Sequence, residues 1–427
     1  MGLAALAAVA PSCLPVGNAS TSTYASIPAE DVPARDAGST SFAAVVSAAT
    51  VRGASSATGF EITAGSSGVR SVSGPAPAGN GAELSPPEAT PQRVWLVAAN
   101  EQAEQLAALG YQTGDRVIVA SGDLRALPFE AREMISYASE VKVGPGLGED
   151  AVWQLEAIRR GHQIPGGGLL MFGSGFDRRL VAIYGHPSGP GLGVLGEQSP
   201  AGGVERLRSI AQAYGADGSV ILPAFEIIAT VASAGAGGDG DYSAMTARDA
   251  IRPWIETAAA NNMYVVLDLQ PGRTDFLTQA KVYEEFLRLP HVGLALDPEW
   301  RLKPHQVHLE QVGTVEAAEI NQVAAWLAGI VREQALPQKL LIVHQFQTSM
   351  IANRQHIDTP PELAVLIQMD GQGSMRAKYA SWNTLTSKPD AGRFHWGWKN
   401  FYDEDFPNAT PDQVLELTPT PEFVSFQ

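Results

Sequence analysis

Seven stretches in the C-terminal part of the chain each read as a buried strand that stops on a polar or ionisable residue: Leu180–His186, Val220–Glu226, Met263–Gln270, Val292–Glu299, Leu340–Gln345, Leu363–Asp370 and Gly392–Lys399. Short apolar runs bounded by turn residues fit strands covered on both faces. Helical signals fall between several of them. Ser199-Pro200 places an N-cap and a first-turn proline ahead of Val204–Tyr214, and Thr246 with Asp249 is positioned to cap Ala247–Ala260. Thr274–Leu289 is amphipathic, and Thr314–Gln334 carries Trp326 on its apolar side. Thr410-Pro411-Asp412-Gln413 forms a capping box before a last short helix, and Glu422–Phe426 supplies an eighth strand. This alternation over residues 169–427 predicts an α/β fold, a TIM-like (β/α)8 barrel, with an open doubly wound sheet as the alternative.

Barrels of this type collect functional groups at the C-terminal ends of their strands. Side chains alternate along a strand, so parity sorts the polar stops by face. In Val292–Glu299, Gly293, Ala295, Asp297 and Glu299 share one face and the leucines take the other. The same rule groups Asp268 with Gln270, Glu226 with Leu222 and Ala224, Asp370 with Leu366 and Gln368, and His186 with Ala182 and Tyr184. An acidic mouth is the result. Two carboxylates side by side, Asp297 and Glu299, repel one another and raise one pKa, which suits a general acid beside an ionised partner. Asp268 with Gln270 is placed to make a hydroxyl clamp, and Glu226, whose apolar surroundings are expected to raise its pKa, is a candidate second catalytic carboxylate.

The Asp297-Pro298-Glu299-Trp300 segment after the fourth strand resembles the Asp-x-Glu arrangement of barrel glycosidases acting on N-acetylated sugars, including muramidase-like and chitinase-like families. That resemblance implies Glu299 as the acid protonating the glycosidic oxygen and Asp297 as its partner, with Asp268 and Glu226 in support. The longer Asp-rich chitinase signature is absent, and a proline stands between the two acids. His186, Gln270, His344 and Asp370 are expected to line the substrate groove, joined by Trp396, Trp398 and Lys399 from the aromatic tail of the barrel. A glycan-binding barrel without turnover and a metal-dependent hydrolase are the rival readings. His186, His344, Asp268 and Asp370 are the ligand types a metal needs, but no H-x-H or H-E-x-x-H spacing exists, so no metal and no cofactor is expected. Gly191-Leu192-Gly193-Val194-Leu195-Gly196 matches a dinucleotide fingerprint only formally, because no helix signal opens inside it.

The rest of the 427-residue chain reads differently. Residues 1–15 are signal-like, an apolar run ending at the lone Cys13, whose setting is similar to a bacterial lipoprotein cleavage site and implies possible membrane attachment through a lipidated Cys13. A disordered linker rich in Ser, Thr, Ala, Gly and Pro is expected over 16–92, because it offers too little apolar surface to offset the entropy of ordering. Residues 93–162 read as a small α/β domain, with strands at Val94–Ala98, Arg116–Ala120 and Glu140–Val143 and helices at Glu101–Leu109, Phe129–Ser139 and Gly148–Arg160. Its segments RVIVASGDLRALP and VKVGPGLGEDAVWQL resemble the cell-wall-binding repeats of Gram-positive surface proteins. The formal charge of −16 with no basic cluster argues against nucleic acid. The expected partner is a cell-wall or surface polysaccharide, the expected location secreted or cell-envelope associated, and no obligate protein partner is evident.

Overall fold

The computed structural model describes residues 61–64, 70–73, 93–99, 110–112, 114–173 and 177–427. The signal-like segment with Cys13, most of the linker stretch and the Glu101–Leu109 helix lie outside the described residues.

Residues 178–427 form a closed barrel of parallel strands: β1 (Arg178–Gly185), β2 (Val220–Ala232), β3 (Tyr264–Leu269), β4 (Val292–Leu296), β5 (Lys339–His344), β6 (Leu363–Met369), β7 (His395–Asn400) and β8 (Phe423–Phe426). Each pairs with the next, and β8 closes on β1 through Phe423–Phe426 against Leu180–Ile183. The barrel expected from the sequence is the fold of this chain.

Alternation builds two cores from the same strands. Leu180, Ala182, Leu222, Ala224, Tyr264, Val266, Ala295, Leu340, Ile342, Ala364, Leu366 and Phe423 fill the lumen, together with Ile164, Met171 and Phe172 from the segment preceding β1. The intervening residues, such as Val265, Leu267, Leu294, Leu341, Val343, Val365 and Ile367, pack outward under the helices. Each fully buried aliphatic side chain of this kind contributes about 1.5–3 kcal/mol. Gly293 stands on the inner side of β4 because a Cβ there would lie 3.0 Å from the Tyr264 ring and hydroxyl and 2.6 Å from the Leu340 carbonyl.

The covering helices are Pro200–Ala211, Arg248–Ala260, Phe276–Val282 with Glu284–Leu287, Ala317–Gln334, Met375–Thr386 and Pro411–Leu415. Ser199 and Thr410 cap as expected, Thr410 within a full capping box. Thr246 does not cap its helix; its hydroxyl bonds the Ile228 carbonyl and His186 instead. The Met375–Thr386 helix, capped by Ser374, was not apparent from the sequence. Between β5 and β6 the connection holds only 3-10 turns, Thr348–Met350 and Arg354–His356, and the two-residue strand Ile351–Ala352.

The N-terminal unit approaches the barrel near that connection. Trp153, on helix Ala151–Arg160, joins the barrel's outer core. The guanidinium groups of Arg125 and Arg332 lie 4.6 and 5.1 Å from the centre of its ring. Arg332 also pairs with Asp150 at 2.8 Å, and Arg125 donates to the Pro361 carbonyl at 2.5 Å. The sheet of this unit runs in the order Glu61–Ala64, Arg70–Ser73, Glu140–Val143, Arg93–Ala98, Arg116–Ala120. Its first two strands lie inside the 16–92 stretch read from sequence as linker.

Candidate functional site

Where the apolar layers end, every strand contributes a polar side chain to the C-terminal mouth. Parity continues the inward faces into Tyr184 on β1, Glu226 on β2, Asp268 on β3, Asp297 just past β4, His344 on β5, Gln368 and Asp370 on and after β6, Lys399 on β7 and Ser425 on β8. All of these are buried. The register keeps them close to one level: Tyr184 stands beside Glu226, His344 beside Gln368, and Lys399 beside Ser425.

Hydrogen bonds join neighbouring members. Tyr184 donates its hydroxyl to Asp268 Oδ2 at 2.8 Å and accepts from Gln270 Nε2 at 3.1 Å. Gln368 donates to Ser425 Oγ at 2.7 Å. Across the lumen, His344 Nε2 lies 3.1 Å from Glu226 Oε1. Its Nδ1 sits 3.1 Å from Asp370 Oδ2 and 3.7 Å from Asp297 Oδ2, aligned as a hydrogen bond to neither. The Lys399 ammonium stands 3.3 Å from the centre of the Tyr184 ring, a cation–π seat that leaves its N–H groups available.

Desolvation sets the protonation of this cluster. Burial pushes the Asp268 carboxyl up to about 7, with the charges of Asp297 and Glu226 raising it and that of His344 opposing. Glu299 is pushed up to about 8, first by burial and then by Asp297 and Asp370. Burial alone would lower His344, but Asp297, Asp370 and Glu226 outweigh it and hold the imidazole well above its usual range. Tyr184 is held well above the phenol range by burial and the nearby Asp268 charge.

Glu299 reaches the mouth by a route parity did not foresee. Strand β4 stops at Leu296, and Pro298–Trp300 forms a 3-10 turn. Pro298 has no N–H to continue the ladder, and Asp297 Oδ1 accepts the Glu299 N–H at 3.2 Å, turning the chain. Glu299 is half-buried, whereas Glu226, Asp268, Asp297 and Asp370 are at most 7 % exposed.

The remaining expected residues divide. Gln270 belongs to the network, its Oε1 accepting from the Ala232 N–H at 2.9 Å. His186 lies past the end of β1 in the following loop, half-buried, with Nε2 2.8 Å from Thr246 Oγ1 and Nδ1 2.7 Å from Ser188 Oγ. Trp396 and Trp398 do not reach the mouth. Both lie in the outer core against Trp382, with ring centres 5.7 and 5.8 Å away, because on β7 it is Gly397 and Lys399 that face inward. A different aromatic group was missed: Trp300, His308 and Tyr242 pack edge-on in loops after β4 and β2, half-buried, with Arg273 stacked 4.4 Å from the Tyr242 ring. The Gly191–Gly196 motif is a tight coil of 3-10 turns in which a Cβ would lie 2.1 Å from the Gly189 carbonyl at Gly196 and 2.6 Å from the Tyr184 carbonyl at Gly193, so close packing explains those two glycines.

One ligand atom each from Asp268, Asp297 and His344 lie within 4.8 Å of one another, and among the described residues these are the ones placed to hold a metal. No protein-family model matches the chain, and no curated protein is similar to it.

Proposed function

We propose that the mouth hydrolyses a glycosidic bond in a cell-wall or surface polysaccharide by carboxylate acid/base chemistry, with Glu299 as the proton donor. The observation that carries this reading is positional: Glu299 is the half-buried carboxyl group at the edge of a set whose other members are closed off from solvent. A donor must reach the leaving oxygen of a bound sugar, while the ionised carboxylates that steady a positively charged transition state work best desolvated. Asp297, turned beside Glu299 by the Pro298 turn, supplies the nearest such charge, with Asp268 and Glu226 deeper in the mouth. The Trp300, His308 and Tyr242 group beside the same loop offers an aromatic face for a sugar ring. The export and lipid-attachment readings of residues 1–15, and the envelope location that follows, belong to the same proposal.

The test compares wild type with Glu299→Gln on wall glycans, following released reducing ends and glycan retention together. Loss of about 10²–10⁴-fold in rate with binding retained is the expected result. Retention by both proteins with no sugar released by either would leave a glycan-binding mouth in its place.

A further inference from the structure

We propose that the floor of the mouth is a divalent-cation site, with Asp268, Asp297 and His344 as ligands and a first-row ion of the Mn2+ or Zn2+ type as occupant. The inference competes with the hydrolytic reading at Asp268 and Asp297, because a bound dication takes up the charge that reading assigns to the transition state, and its test reads occupancy and not turnover.

Spacing is the first ground. Atoms bound to a common ion at about 2.0–2.2 Å lie no more than about 4.4 Å from one another. The three candidate atoms, all within 4.8 Å, need only a small inward adjustment. Unmatched atoms are the second and independent ground. Asp268 is fully buried; its Oδ2 is bonded by Tyr184, while its Oδ1 has no partner. His344 is fully buried as well; its Nδ1 lies 3.1 Å from Asp370 Oδ2 and 3.7 Å from Asp297 Oδ2 with no aligned hydrogen bond to either. An unsatisfied buried polar atom costs about 1–3 kcal/mol, so the bare Asp268 Oδ1 points to an occupant.

The surroundings fit a bound ion. A metal-ligating imidazole characteristically gives its other N–H to a carboxylate, which fixes the tautomer and strengthens the ligand. Glu226 Oε1, 3.1 Å from His344 Nε2, is placed to take that proton and leave the Nδ1 lone pair free. Tyr184 plays the equivalent part for Asp268. Two carboxylates balance a dication once the ion displaces the Nδ1 proton of the imidazole, and an oxygen-rich set with one nitrogen suits Mn2+ or Zn2+ better than thiophilic ions. Asp370 Oδ1, buried and also without a partner, is a candidate fourth ligand. The sequence offered Asp268, His344 and Asp370 as metal-ligand types but no local spacing that joins them, because they come from separate strands, and it read Asp297 only as an acid.

The test uses the full chain stripped with EDTA and dialysed against Mn2+ alone, then Zn2+ alone, followed by anomalous diffraction from Mn2+-soaked crystals. One ion per chain is expected, with its anomalous peak between Asp268, Asp297 and His344. Glu226→Gln should weaken binding by about 10–100-fold, and Asp268→Asn should weaken it further. A wild type that binds neither ion, or an anomalous peak only elsewhere, overturns the proposal and returns the cluster to a network held by protons. The wild-type measurements decide the matter even where a variant fails to fold.

Discussion

His344 and Glu226 meet at 3.1 Å across the barrel lumen, from strands that are not neighbours in the sheet, and neither side chain is exposed to solvent. The imidazole faces Glu226 on one nitrogen and Asp370 and Asp297 on the other, so it separates three carboxylates that would otherwise repel each other. Replacing it with leucine strands those charges in a site closed to water. His344→Leu is expected to lower unfolding free energy by about 3–5 kcal/mol, read from urea titration. A loss under 1 kcal/mol would show that the carboxylates do not depend on it.

Tyr184 has two separable parts. Its ring seats the Lys399 ammonium, and its hydroxyl ties Asp268 to Gln270. Tyr184→Phe keeps the first and removes the second, leaving Asp268 Oδ2 without its donor. A loss of about 1–3 kcal/mol is expected. Tyr184→Leu removes the ring too and should cost more; equal losses in both variants would mean the cation–π seat contributes nothing.

At the opposite end of the barrel, the ammonium of Lys339 donates to the Leu289 and Val292 carbonyls at 2.6 and 2.7 Å and is fully buried. Burial lowers its pKa to about 7. Between about 7 and the ordinary lysine value of 10.5 the unfolded chain therefore holds a proton that the folded chain lacks. Stability from this group rises with pH across that window, and the burial penalty is fully present below it. Lys339→Met removes the dependence. The difference in unfolding free energy, wild type minus variant, should increase from pH 6.5 to pH 9.5 in urea titrations. A flat difference would rule out the lowered lysine.

Trp153 should count as a barrel residue although it belongs to the N-terminal unit. It joins the outer core and stacks with Arg125 and Arg332. Trp153→Ala is expected to cost about 3–5 kcal/mol in a single cooperative transition followed by barrel tryptophan fluorescence. Two separated transitions in the wild type would contradict this coupling.

Strand parity carried the acidic half of the site. Asp268, Asp297, Glu226 and Asp370 converge because a two-residue period leaves no freedom once the apolar partners of each strand are known, and the same rule, not applied to them from the sequence, brings in His344 and Lys399. Parity fails where a strand ends. Gly185 turns the chain at φ 151° just after Tyr184, so Tyr184 keeps the inward face that parity gave it while His186 leaves that face for a rim contact. On β7, parity correctly put the two tryptophans together but not on which side. The small Gly397 between them was the available clue, since a Cβ there would lie 2.9 Å from the Leu366 side chain inside the lumen. The Trp300, His308 and Tyr242 group was not legible, because it depends on two loops meeting in space.

The packed lumen has a consequence for traffic. Beneath the polar ring the strands' inner side chains pack against one another, and Ile164, Met171 and Phe172 pack with them. With that floor closed, whatever enters past Glu299 leaves the same way. Under the proposed function, arrival of a reactant and departure of its product would share one doorway, with the loops around it governing both.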